Sequence, residues 1–253
     1  MTTTIEDRPP DRRAQDGSSR DAVGASTLEL LDVFPAYTDL IWEKVLALVE
    51  VRGRVLEMGC GIGSISRRIL QSPAVEALDA VDPCSEYVAR VVREIGDPRF
   101  RAIRGSAEDF CPGDALYDRI VCINVLEHVE DDLAALRNFR RMLRPGGVCL
   151  LMVPAHPFLF SSLDLGLSHH RRYAKGALLE LARAAGLEPG ITVHFNPLGA
   201  LGWWLNGRVL HRSAIPAGHV SIYARFLIQV SRVLDRLNPF DLGISLISVL
   251  QNV

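Results

Sequence analysis

Short apolar runs alternate with stretches that carry apolar residues at helical spacing from residue 55 to residue 153, and this alternation most narrows the folds open to the chain. Residues 55–58 form a brief apolar run, residues 64–70 have helical spacing, and residues 75–82 are apolar again. Val88, Val91, Val92 and Ile95 then mark a helix face that stops at Gly96. The beat continues through strands at 100–103 and 120–124. A helix carrying Leu133, Leu136, Phe139 and Leu143 follows, ends at the Pro145-Gly146-Gly147 turn, and gives way to a strand at 148–153. Strands separated by helices pair in parallel, because each return across the sheet needs a crossover. The pattern predicts an α/β fold with a doubly wound, Rossmann-like parallel sheet.

The 253 residues, 48% of them hydrophobic, are enough for one large core. A formal net charge of -2 supplies no basic excess for tracking phosphates, which argues against nucleic acid as a partner. The five cysteines (Cys60, Cys84, Cys111, Cys122 and Cys149) are scattered and lack C-x-x-C spacing, so they read as reduced thiols of a cytoplasmic protein. Neither a disulfide framework nor a metal site is expected from them. No apolar run reaches the roughly 18 residues of a spanning helix and no secretory leader is visible, so no integral membrane association is expected.

Residues 1–25 mix both charge signs with Pro, Ser and Gly and predict a disordered tail. One domain is expected over 26–253, opening with a helix that carries Ile41, Val45, Leu48 and Val49. After residue 153 the beat breaks. A loop rich in His and Arg (157–173) precedes a helix at 175–185 and an alternating strand carrying Ile191, Val193 and Phe195. A helical insert at about 198–242 carries Trp203 and Trp204, then Phe226, Val230, Val233 and Leu237 at helical spacing, before a final strand at 245–250. We read the insert as a cap over a pocket, with the tryptophans in its core. Any exposed part of it offers a homodimer contact or a surface for lipid-like substrates.

The most informative segment is Val55-Leu56-Glu57-Met58-Gly59-Cys60-Gly61-Ile62-Gly63, where an acid ends a strand and three glycines open a helix. Glycines let backbone approach a ligand closely, and Glu57 can receive a cationic amino group. Ser64 stands where a dinucleotide fingerprint G-x-G-x-x-G needs its last glycine, so the match is instead to G-x-G-x-G. Asp82 ends the second strand, where a carboxylate accepts hydrogen bonds from ribose hydroxyls. Glu108, in Gly105-Ser106-Ala107-Glu108-Asp109-Phe110, suits an adenine edge or a simple helix cap.

The motifs E-M-G-C-G-I-G, V-D-P-C-S-E, G-S-A-E-D-F, N-V-L-E-H-V-E-D-D and R-P-G-G, in this order, resemble the class I S-adenosylmethionine-dependent methyltransferases over about residues 37–185. The resemblance implies a seven-stranded sheet of order 3-2-1-4-5-7-6 with strand 7 antiparallel, the strand at 245–250 taking that role. It implies that Gly59, Cys60 and Gly61 line the methionine portion of S-adenosylmethionine, beside Glu57. Asp82 and Pro83 then hold the ribose, Ala107 and Glu108 meet adenine, and Asn124 touches the methionine side near the sulfonium. S-adenosylhomocysteine is the implied product. A narrower resemblance, in S-H-H-R-R-Y (168–173), F-N-P-L-G-A-L-G-W-W-L-N (195–206) and G-I-S-L (243–246), is to a bacterial subgroup of small-molecule methyltransferases with an HxRRY-type loop.

A sulfonium methyl is already electrophilic, so no metal is required, and aligning the acceptor supplies much of the acceleration. A hydroxyl acceptor must also lose a proton, which brings in His128, His156, His169 and His170 as bases. The resemblance places His169 in a loop facing the pocket and makes it the first choice, with His128 second. His156, Arg171 and Tyr173 are candidate acceptor contacts, the guanidinium suiting a carboxylate or phosphate. Alternatively one of Arg171 and Arg172 pairs with Glu108 or Asp164 to hold the loop. The expected reaction is O-methylation of a hydroxyl or carboxyl of a specialised metabolite in natural product biosynthesis. N- or C-methylation in the same fold, or a cyclisation that keeps the cofactor without transferring its methyl, are the alternatives.

Overall fold

The computed structural model describes residues 35–114, 116–213, 228–237 and 241–253. The expected tail at 1–25 and Phe226 of the insert lie outside them. Helix α1 (Pro35–Leu48) leads into β1 (Gly53–Met58), α2 (Ser64–Ile69), β2 (Val75–Asp82), α3 (Ser85–Glu94) and β3 (Phe100–Arg104). Strand β4 (Tyr117–Ile123) is followed by a 3₁₀ turn (Leu126–His128), α4 (Asp132–Met142) and β5 (Leu143–Pro154). A 3₁₀ turn (Pro157–Leu159) and the short α5 (Ser162–Gly166) precede α6 (Lys175–Ala184) and β6 (Glu188–Phe195). The insert supplies α7 (Pro197–Trp203), a π-helical turn (Trp204–Val209) and α8 (Ile228–Leu237), and β7 (Ser245–Gln251) closes the chain.

The seven strands form one sheet in the order β3-β2-β1-β4-β5-β7-β6. The pairs from β3 through β5 are parallel, and β7 runs antiparallel to both β5 and β6. The order reverses between β1 and β4, so a crevice opens at the carboxyl ends of these two strands. Helices cover both faces, which is why the strands read as continuous apolar runs. Val55 packs toward Leu40, Ile41 and Val45 of α1. Leu56 and Met58 face the opposite layer with Leu136 and Phe139 of α4 and Leu178 and Ala182 of α6.

Two expectations need correction. The Pro145-Gly146-Gly147 segment is not a turn between helix and strand, because β5 already begins at Leu143, which pairs with Tyr117. The glycines form an irregularity inside the strand. A Cβ on Gly147 would lie 2.8 Å from the Arg144 carbonyl oxygen. Asn252 latches this irregularity: its N–H donates to the Gly147 carbonyl at 2.9 Å, its carbonyl accepts from Gly146 N–H at 2.7 Å, and its Nδ2 donates to Leu143 O at 2.9 Å.

The second correction concerns the insert, whose core holds Trp203 but not the exposed Trp204, and whose helix α8 turns its apolar stripe outward. Val230, Val233 and Leu237 are exposed, while Ile228, Ser231 and Asp235 are buried. Asp235 fixes the helix instead, pairing with Lys44 at 2.9 Å and accepting from Asn196 N–H at 3.0 Å. Replacing Asn252 with Ala is expected to leave the strand irregularity without its side-chain latch and to cost about 1–3 kcal/mol, the scale for a buried acceptor left unpaired. Urea unfolding with an unchanged slope checks this; an unaltered midpoint would show that the latch contributes nothing.

Candidate active site

The first half of the site is backbone. Where β1 ends, Gly59 and Cys60 both donate to the Val81 carbonyl, at 2.7 and 3.1 Å, which folds the loop over the end of β2. Gly59 adopts φ +80, and a Cβ there would lie 2.2 Å from Val125 Cγ2, so only glycine permits this approach between the β1 and β4 ends. Asp82, at the end of β2, accepts from Gly61 N–H at 2.8 Å and from Cys84 N–H at 2.9 Å. Each carboxylate oxygen keeps a further lone pair. Burial raises the Asp82 carboxyl, and the N–H groups of Cys84 and Gly61 oppose that rise.

Glu57 is 3% exposed and accepts from Ser66 Oγ at 2.5 Å, so α2 holds it against the glycine loop. Burial pushes it up to about 8, against the Ser66 hydrogen bond and with a contribution from Asp82. Two buried acids therefore flank a left-handed glycine loop at the sheet's reversal point, a cradle suited to a cationic amino acid joined to a nucleoside. Pro83 is exposed beside it. Ala107 is buried, and its carbonyl accepts from Asn138 Nδ2 at 3.0 Å, which clamps the 105–110 loop to α4. Glu108 lines a cavity of about 450 Å³ with Arg137, Arg140 and Arg141 of that helix. Asn124 follows β4 at φ 53, exposed, with its N–H donating to Met152 O at 2.9 Å.

The second half is a charged network. Asp164, with no exposed surface, accepts from Arg172 Nε at 2.6 Å, Trp203 Nε1 at 3.1 Å and Ser161 N–H at 2.9 Å, and holds His169 Nδ1 at 3.0 Å. Burial works to raise this carboxyl, yet the hydrogen bonds from His169 and Arg172 and the Arg172 charge hold it below the usual range. An ionised carboxylate only accepts, so Nδ1 of His169 carries a proton, and in the neutral ring the lone pair is on Nε2. Nε2 lies 4.0 Å from Glu127 Oε1. The His169 ring also meets His128 edge-on, with centroids 4.8 Å apart. His128 is exposed as a residue, yet desolvation of its imidazole, with the His169 charge second, pushes it down to about 4.

Glu127 was not among the residues singled out from sequence, yet it is 1% exposed and neither carboxyl oxygen has a hydrogen-bond partner among the described residues. Burial pushes it up to about 8. Its position directly before His128 was the available signal. Arg171 pairs with Asp132 at 2.8 Å and donates to Glu130 O at 2.8 Å. The Tyr173 hydroxyl meets the same Asp132 at 3.0 Å and Leu126 O at 3.2 Å. Arg171 and Tyr173 thus tie the loop to the β4 end rather than presenting free polar groups. The anticipated Arg pairing with Asp164 is made by Arg172. His156, at φ 61, stacks on His194 with centroids 4.7 Å apart, outside the Glu127 cluster.

A family profile for the methyltransferase domain matches residues 32–208. The chain belongs to this methyltransferase family. The ubiquinone biosynthesis O-methyltransferase of Cereibacter sphaeroides is 30% identical over 182 residues, covering 65% of this chain and 72% of the relative. Among solved structures, a chain from a Haloferax volcanii complex of a methyltransferase with its activator superposes with TM-score 0.64 at 19% identity, covering 93% of this chain and 97% of that one. An S-adenosylmethionine-dependent methyltransferase from Mesorhizobium loti gives TM-score 0.61 at 16% identity, covering 83% and 96%. The methyltransferase takes S-adenosylmethionine as its cofactor, and its sheet order is the one the resemblance implied. Among the described residues no helix is long and apolar enough to cross a membrane.

Two outcomes are expected for this methyltransferase. Asp82→Ala removes the acceptor for two loop N–H groups and should weaken S-adenosylhomocysteine binding by about 1–3 kcal/mol in calorimetric titration; an unchanged Kd sinks the ribose assignment. Glu57 has a raised carboxyl in the free protein, so a ligand ammonium has to draw it into its ionised form. Affinity should therefore strengthen as pH rises toward about 8 and level off above it, and Glu57→Gln should flatten the profile. A wild-type affinity constant between pH 6 and 9 would show that Glu57 does not meet the amino group.

Proposed function

We propose that this methyltransferase transfers the methyl group of S-adenosylmethionine to a hydroxyl oxygen of a small aromatic acceptor. Glu57, Gly59, Cys60 and Gly61 hold the amino-acid end of the cofactor, Asp82 and Pro83 its ribose, Ala107 and Glu108 its adenine, and Asn124 lies on the methionine side. The Asp82 geometry and the left-handed glycine loop support this placement. The cofactor supplies an electrophilic methyl, and the protein must align an oxygen lone pair with it and dispose of one proton.

One observation carries the choice of oxygen: Asp164 holds His169 Nδ1, so that Nε2 is the nitrogen turned toward the cluster with Glu127 and His128 at the carboxyl end of β4. A carboxyl acceptor is already ionised at neutral pH and needs no such arrangement, whereas a hydroxyl does. The curated relatives act as O-methyltransferases in ubiquinone biosynthesis. They favour a phenolic hydroxyl of a quinone precursor over the specialised metabolite that the sequence suggested. The acceptor proton leaves toward the His169 cluster, the oxygen lone pair forms the C–O bond, and the C–S pair returns to sulfur, giving the methyl ether and S-adenosylhomocysteine. Arg171 and Tyr173 contribute by fixing the loop through Asp132, and His156 stacks on His194.

His169→Ala is expected to lower kcat by about 10²- to 10⁴-fold on an alkyl-substituted catechol, with S-adenosylhomocysteine affinity retained. Turnover at the wild-type rate in that variant would remove His169 from the chemistry.

A further inference from the structure

Glu127 presents an energetic problem that the rest of the network does not solve. Its carboxyl group is buried, and neither oxygen finds a hydrogen-bond donor among the described residues. Burying such a group without a partner is costly. Arg172, whose charge acts on Glu127, is already bound to Asp164 at 2.6 Å and to the Ala155 carbonyl at 3.0 Å. Arg172 is thus committed to Asp164, and the Glu127 carboxyl group is left without a hydrogen-bond partner among the described residues.

The ligand-capable atoms of Glu127, His128 and His169 all lie within 4.8 Å of one another. We propose that these three side chains form a binding site for a divalent first-row transition-metal ion, of the Zn²⁺ or Mn²⁺ class. Two imidazoles and one carboxylate suit these ions and not the all-oxygen cages of calcium.

The surroundings are built as such a site requires. Metal-ligating histidines usually give their second ring N–H to a carboxylate or a backbone carbonyl, which fixes the tautomer and aims the lone pair. Both histidines have such a partner: Asp164 holds His169 Nδ1, and the Ser168 backbone engages His128. Ser168 reaches that position through a left-handed φ of 60. A tetrahedral ion with bonds of ~2.1 Å sets its donors roughly 3.4 Å apart, so binding draws the groups together by about an ångström. His128 is exposed, which gives an ion access to the cluster. Three protein ligands leave a coordination position open, the arrangement of catalytic rather than structural sites.

The role of the ion rests on the proposed O-methylation: an acceptor hydroxyl at the open position would lose its proton to water more readily, with His169 serving as a ligand instead of carrying the proton itself. Binding of the ion does not rest on it. The test therefore needs no acceptor. The full chain, stripped of metal with a chelator, is titrated with Co²⁺ and followed by visible absorption and by thermal unfolding. One equivalent is expected to produce ligand-field bands that Zn²⁺ abolishes, with a raised Tm.

Glu127→Gln and His169→Ala should lose both signals, Asp164→Asn should weaken binding about 10- to 100-fold, and His211→Ala, an exposed histidine elsewhere, should bind as wild type. Calorimetry with S-adenosylhomocysteine on each variant separates loss of the ion site from loss of the fold. If a variant is too unstable for that, competition of Zn²⁺ against a colorimetric chelator by the wild-type chain decides the matter. Absence of bands in the wild type, or an unchanged spectrum in Glu127→Gln, overturns the site while leaving the methyl-transfer reading to stand or fall on His169→Ala.

Discussion

The buried Asp164 carboxylate is the interaction on which the chemical half of this protein depends. It gathers a guanidinium, an imidazole, an indole N–H and its own helix's N-terminal backbone around one pair of oxygens. Arg172 passes the connection on to the Ala155 carbonyl beyond β5, and its guanidinium lies 4.6 Å over the Trp203 ring. A buried carboxylate of this kind is tolerated only while every partner is present, since removing one leaves a charge without compensation. The consequence is rigidity: His169 cannot turn without breaking a bond that also holds the loop and the insert.

The glycine-loop half obeys a different constraint. There backbone, not charge, is brought close to the crevice that the reversal of strand order between β1 and β4 opens. Gly59 makes the approach possible because any side chain would collide with Val125, which begins the segment leading to Glu127 and His128. The two halves therefore meet at one residue contact, glycine loop against β4 end. A group bound by Gly61 and Asp82 and a group bound near His169 are forced into neighbouring space by the sheet itself.

This division explains what could be read from the sequence. Strand β2 and the final strand were legible because strands covered on both faces are largely apolar and are bounded by breaks in period. The glycine loop and Asp82 were legible because a close backbone approach demands glycine, and a strand-terminal acid stands out after an apolar run. The start of β5 was not, since Pro145-Gly146-Gly147 carries every mark of a turn and is kept in the strand by Asn252, more than a hundred residues away in the chain. The orientation of α8 was not legible because apolar spacing records which residues share a face, not which face is buried, and Asp235 turns the other face inward. Glu127 offered only its place before His128. An acid between Leu126 and His128 looks solvated until the loop carrying His169 and Arg172 closes over it.

The insert is joined to that same loop by bonds that do not involve apolar packing alone. Ser162 Oγ donates to the Arg212 carbonyl at 2.6 Å and to the Gly207 carbonyl at 3.3 Å. A Cβ on Gly207 would strike Ser161 Oγ at 2.2 Å, so the π-helical turn sits directly against the residue that caps Asp164's helix. Interiors packed this closely shift between discrete arrangements rather than deform smoothly. A displacement of the insert is thus carried through Ser161, Ser162 and Trp203 to Asp164, and from there to His169. The element best placed to select an acceptor is mechanically coupled to the groups that would activate it. Changes in the insert should then alter acceptor choice and turnover together, because both act through one carboxylate.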